Sequence, residues 1–121
     1  MNAEKINIAE KLGLFQDEWS PHIIAALNGQ LVKLAKLKGE LTWHSHAEED
    51  ELFLVLEGSL VIQLRDREVH LEKGEMFIVP QGVEHNPMSS HGASVLLFEP
   101  KGTKHTGEVI LDRTVLRQEW I

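Results

Sequence analysis

Apolar and polar residues alternate at every second position over much of this chain, and glycine, proline, asparagine and aspartate interrupt the alternation at short intervals. Over 30–38 the pattern puts Leu31, Lys33, Ala35 and Leu37 on one face of a strand and Val32, Leu34, Lys36 and Lys38 on the other. An apolar-rich run precedes it at 22–27. The Asn28-Gly29 pair between the two predicts a tight hairpin, because both central residues of a type I′ turn need positive φ. Further strands are expected over 41–46, 52–56, 59–65, 68–72, 76–79, 93–99 and 107–111, with turn chemistry at 47–50, 57–58, 66–67, 73–74, 80–82 and 87–92. The run 52–56 is nearly all apolar and is expected to be buried. Helical spacing occurs only near the start, where Ile8, Leu12 and Phe15 recur among Glu10 and Lys11, so a short helix is expected over 6–15. One helix followed by eight or nine short strands reads as an all-β sandwich or barrel.

A chain of 121 residues fits one compact domain, 1–121. Within it we expect an N-terminal helix and hairpin at 5–38, a barrel at 39–101 and a tail at 102–121. The tail carries Val115, Leu116, Trp120 and Ile121, which suit docking on this subunit or a neighbour. No apolar run approaches the ~20 residues of a membrane span. The first residues lack a basic stretch followed by an apolar block, so a cytoplasmic location is expected. Twelve basic against nineteen acidic residues give a formal charge of −7, which repels nucleic acid and anionic lipid. Cysteine is absent, so a metal would have to be held by nitrogen and oxygen.

Donors of that kind occur at telling intervals. Gly39, His44, His46, Glu51 and Gly58 form G-x4-H-x-H-x4-E-x6-G, and Gly74, Pro80, Gly82 and His85 form G-x5-P-x-G-x2-H. In extended backbone, His44 and His46 project to the same side about 7 Å apart. Glu51 has the opposite parity, but the polar stretch 47–50 can reset the face it sees. Gly74 and Gly82 permit tight turns and Pro80 fixes the exit from strand 76–79, which steers His85 inward. Three neutral imidazoles and a carboxylate leave two positions open on a six-coordinate ion, a pattern suited to divalent Fe, Mn, Ni, Co or Zn. A closed structural site would fill every position, often with cysteine.

These two motifs resemble those of the cupin superfamily, in particular its small single-domain members of the conserved-barrel type, over roughly 39–101. The resemblance implies a double-stranded β-helix, or jelly-roll barrel, a divalent metal held by His44, His46, Glu51 and His85, and a homodimer. Two details depart from the commonest pattern: four residues rather than five separate Gly39 from His44, and Ser89 stands where an asparagine is usual. Trp19-Ser20-Pro21 and the run Glu99-Pro100-Lys101-Gly102-Thr103 are similar to those of small bacterial cupins labelled mannose-6-phosphate isomerase-like. That label speaks of fold and transfers no substrate.

The remaining histidines read as peripheral. His70 falls on the polar face of its strand, His22 on the surface of the early hairpin, and His91 and His105 in loops, exposed or overhanging the barrel mouth as an acid or base. Trp43 faces away from His44, toward core or subunit packing. Phe53, Met76, Phe77, Met88 and Phe98 read as barrel filling, a few of them lining an apolar pocket. Lys101 and Lys104 belong to a solvated loop, with a phosphate or carboxylate grip as the rarer use. The chain is therefore expected to be a metal-dependent enzyme acting on a small organic molecule, of dioxygenase or isomerase/lyase type. The absence of tyrosine counts against sugar epimerisation by a histidine–tyrosine pair. The alternative is a non-catalytic cupin that binds or senses a small ligand. A bare structural barrel is disfavoured, since four converging donors are costly to desolvate. Exposed sheet edges, with the hairpin at 22–37 as the pairing element, lead to the same expectation of a homodimer.

Overall fold

The computed structural model describes residues 3–103 and 118–121. The elements in chain order are α1 (Ile8–Leu12), β1 (His22–Leu27), β2 (Gln30–Glu40), β3 (Glu51–Leu64), β4 (Glu68–Glu72), β5 (Met76–Val79), β6 (His85–Pro100) and β7 (Glu119–Trp120). The sheet runs β4-β3-β6-β2-β1-β7, and β5 pairs with β3 beside this path. Among the described residues no helix is long and apolar enough to cross a membrane. The expected strand 107–111, His105 and Lys104 lie outside the described residues.

The hairpin reading holds: Asn28 and Gly29 take φ of 50° and 77° and join β1 to β2 in antiparallel register. The helix is shorter than its spacing suggests. Asn7 caps its start by accepting a hydrogen bond from the Glu10 N–H at 3.0 Å, and Gly13 closes it because glycine is a poor helix residue. Phe15 lies beyond the helix yet is buried.

Three expectations are corrected. Residues 52–56 and 59–65 are one strand, β3, which bends at an irregularity around Glu57 and Gly58 rather than turning back. The stretch 87–92 likewise belongs to the continuous β6. By contrast 41–46 is not a strand; among the described residues its ladder contact is an isolated bridge between His44 and His85. β-bulges and turns draw on the same residues, so glycine, proline and serine inside a long bent strand imitate a turn.

The bends fold the sheet over on itself. The first half of β3 pairs with the C-terminal half of β6, and its second half with the N-terminal half of β6. Leu60, Ile62 and Leu71 thereby pack against Phe53, Val55, Val95 and Leu97 as the barrel core. Outside the barrel a second cluster forms where Phe15, Ile8 and Leu12 cover Ile24, Leu34 and Leu96. His22 joins this packing rather than lying on the surface: its ring is 4.2 Å from that of Phe15 and it pairs with Asp17 at 3.0 Å. Met76 is also corrected, being 53% exposed and not barrel filling.

Candidate metal centre

A few backbone hydrogen bonds build the site. His44 N–H donates to the His85 carbonyl at 3.0 Å and His85 N–H to the His44 carbonyl at 2.9 Å, which brings the two rings to 4.2 Å. Gly82 N–H donates to the His46 carbonyl at 2.7 Å, with Gly82 at φ 77°. The Gln81 N–H donates to Asp50 Oδ1 at 2.8 Å, joining the loop before β6 to the loop that delivers Glu51. Glycine and proline thus turn the chain as the spacing suggested, and the acidic stretch 47–50 resets the parity of Glu51.

The donors converge. His44, His46, Glu51 and His85 are all buried, and each offers a ligand atom such that these atoms lie within 4.8 Å of one another. Glu51 Oε1 sits 3.3 Å from His46 Nε2 and 3.6 Å from His85 Nε2. The Nδ1 atoms of His44 and His85 lie 2.8 Å from the Thr42 carbonyl and 3.0 Å from the Val83 carbonyl. A carbonyl only accepts, so those nitrogens carry the protons and each Nε2 presents a lone pair to the cluster. The His44 and His85 Nε2 atoms and Glu51 Oε1 are buried without a hydrogen-bond partner. Buried polar atoms are rarely left so; a cation among them would satisfy all three.

Charge favours the same state. Burial, reinforced by the neighbouring His85, holds His44 at a pKa of about 4, so its ring is neutral and able to ligate at neutral pH. For Glu51 burial acts upward, but polar contacts with His46, His85 and Glu99 outweigh it and hold the carboxyl well below the usual carboxylate range. Glu99 behaves oppositely: burial and the adjacent Glu51 carboxylate push it well up, against the opposing Lys33.

Lys33 and Glu99 were missed as members of this neighbourhood. They are 1% and 0% exposed and paired at 2.7 Å. The signal was present, since Lys33 shares its strand face with Leu31, Ala35 and Leu37, and Glu99 keeps the parity of the inward Val95 and Leu97. Trp19 was also undervalued. It has φ 57°, strained for a bulky residue, and is held by its backbone N–H on the Lys36 carbonyl at 2.9 Å and its Nε1 on the Lys38 carbonyl at 2.8 Å. Together with Pro21, Ala35, Leu41 and Phe53 it walls an apolar cavity that also reaches Glu51. Trp43 is half-buried, its ring 3.8 Å from the Arg65 guanidinium. His70 and His91 are exposed, as is Lys101.

The cupin domain family model matches residues 30–99, the stretch from β2 to the end of β6. The chain belongs to the cupin family. Among solved structures, a cupin-2 domain containing protein from Shewanella frigidimarina is 45% identical, with TM-score 0.78 over 79% of this chain and 94% of that one. Among curated relatives, the uncharacterized protein YdbB of Bacillus subtilis is 40% identical over 67 residues, 54% of this chain and 59% of the relative. The 3-hydroxyanthranilate 3,4-dioxygenase of Xanthomonas campestris is 31% identical over 68 residues, 53% of this chain and 39% of the enzyme. The chain thus spans 59% or less of the length of these two curated relatives. As a cupin, the chain carries its His3Glu cluster on the sheet and loops that the family model covers.

Proposed function

We propose that this cupin is a metal-dependent enzyme acting on a small organic molecule, with a divalent transition metal (Fe, Mn, Ni, Co or Zn) held by His44, His46, Glu51 and His85. The observation that carries the reading is the convergence of four buried donors, two of which, His44 and His85, have their ring tautomers set by backbone carbonyls. A bound metal would supply Lewis-acid polarisation of a substrate oxygen or a site for dioxygen. The chain's own part is to keep the imidazoles neutral, exclude water and present an apolar wall of Trp19, Leu41 and Phe53.

Dioxygenase chemistry leads because one relative is a dioxygenase of a hydroxylated aromatic acid. Isomerase or lyase chemistry uses the same ligands. The protein is further proposed to work as a homodimer, argued below from its outer sheet face.

Metal analysis of purified protein beside His44→Ala and His85→Ala is the direct test. Stoichiometric metal in the parent and its loss in both variants are expected; unchanged content in the variants would overturn the site. Oxygen uptake with hydroxylated aromatic acids, diketones and keto acids then tests catalysis. Full metal with no turnover across that panel and with sugar acids favours the alternative, a non-catalytic cupin that binds or senses a small ligand.

A further inference from the structure

Behind Glu51, inside a barrel whose neighbouring inward residues are Leu31, Ala35 and Leu97, lies a buried pair of ionisable side chains. Lys33 Nζ is 2.7 Å from Glu99 Oε1, with the two side chains 1% and 0% exposed. In the antiparallel β3–β6 ladder Leu52 pairs with Phe98, so the next residues along, Glu51 and Glu99, stand across from each other with both side chains buried. Burying two charges costs several kcal/mol per ion, and replacing such a pair with apolar residues of similar size is commonly neutral or stabilising. Fold stability alone is therefore a poor reason for Lys33 and Glu99 to occupy these positions.

Geometry supplies a better one. Glu51 begins β3 directly after the loop 47–50, and its Oε1 faces the His46 and His85 Nε2 atoms. Its carboxyl would rotate freely about its last torsion unless something behind it fixed the plane. Glu99 stands at that place on β6, and Lys33, on the adjacent strand β2, fixes Glu99. Lys33 Nζ also donates to the Thr103 carbonyl at 3.5 Å.

We propose that Glu99 and Lys33 are positioning residues, a Lys33–Glu99–Glu51 relay that holds the Glu51 oxygen in line with the three imidazoles and thereby sets the metal affinity of the site. The inference rests on the metal-site reading above and extends it to two residues outside the donor set. Partners behind metal ligands typically change affinity by about 10- to 100-fold when removed.

Cobalt(II) tests it, since its visible absorption reports ligand geometry independently of activity. Metal-free parent protein, the apolar replacement K33M/E99L, Glu99→Ala and Glu99→Gln are each titrated with cobalt and unfolded in urea. Loss of affinity of about 10- to 100-fold with an altered visible band is expected in K33M/E99L and in Glu99→Ala. Glu99→Gln, whose amide N–H can donate to Glu51 while its carbonyl accepts from Lys33, is expected to keep the parent band and an affinity within about threefold. The urea midpoint of metal-free K33M/E99L should not fall, which separates positioning from support of the fold. Glu99→Ala guards against misfolding of the double variant. Parent-like affinity and band in whichever of the two apolar variants folds would overturn the relay, as would Glu99→Gln losing as much as Glu99→Ala. A parent protein that takes up no cobalt would overturn the metal site itself and the relay with it.

Discussion

Burial and the facing His85 hold the His44 imidazole at about 4 against an ordinary 6.5, and this has a consequence for stability. The unfolded chain takes up a proton at His44 below about 6.5 that the native site refuses until about 4. Native stability from this residue is therefore complete above pH 6.5 and is lost as pH falls toward 4. The full effect is about 3 kcal/mol at ~1.4 kcal/mol per pKa unit. Glu99, pushed up by burial and Glu51, acts in the opposite sense: what it contributes at low pH is lost as pH rises. Comparing chelator-treated parent with His44→Leu across pH 7 to 4 isolates the histidine. The parent should lose stability in urea more steeply than the variant, and equal slopes would contradict the assignment. At this scale the sequence was most legible where spacing and chemistry coincide, as for His44, His46, Glu51 and His85. Lys33 and Glu99 escaped because charged side chains are ordinarily assigned to solvent; strand parity, applied without that prejudice, places both inside.

The bend in β3 gives the element scale its own prediction. A Cβ added at Gly58 would meet the Gly92 carbonyl oxygen at 2.2 Å and the Ala93 Cα at 3.0 Å, with φ at +79°. Both neighbours are backbone of β6 and cannot rotate away. Gly29 has a similar φ of +77° but open space around it. Gly29→Ala should thus cost about 1 kcal/mol, the left-handed penalty alone. Gly58→Ala should cost about 3 kcal/mol or more, because the sheet halves must part. Urea midpoints measure the difference, and similar losses would refute a backbone clash at the bend. The same place shows why some elements were legible and others not. Strands 22–27, 68–72 and 76–79 emerge with their sequence-derived boundaries since each is a short segment with turn residues at both ends. β3 was cut in two, and β6 was expected only over 93–99, because a folded-over sheet needs glycines mid-strand. Residues 41–46 alternate like a strand, yet a ladder requires a continuous partner, and β6 meets them at two separate points, the bridge between His44 and His85 and the Leu41 N–H on the Pro87 carbonyl.

At the scale of the whole molecule, the described residues cover the outer face of the sheet over only part of its width. Ile8, Leu12 and Phe15 lie over Ile24, Val32, Leu34 and Leu96, while the rows that continue this face across β3 and β5 pair Leu52 with Ile78 and Leu54 with Met76. Ile78 is 48% and Met76 53% exposed, and a shallow groove runs from Ile78 past Phe98 to Leu27. A contiguous apolar surface of this kind is characteristic of an interface, and a second copy offering the same rows satisfies a two-fold contact. The hairpin edge first expected to pair subunits is a weaker candidate, since β7 already lies along it at His22 and Ile23. Sedimentation should therefore give twice the chain mass at micromolar concentration. Ile78→Glu should shift it to the monomer, because a stable interface needs roughly 800 Å² per partner with an apolar centre. His70→Glu, at an exposed position on β4, should leave the dimer intact. A monomeric parent, or an Ile78→Glu variant that still sediments as a dimer, would remove this face from consideration. All four metal donors come from one chain and are buried within it, so the dissociated Ile78→Glu protein should retain its metal stoichiometry. If it did not, the metal centre would depend on assembly, and the loop 47–50, whose Glu48 and Asp50 line the same groove, would be the connection.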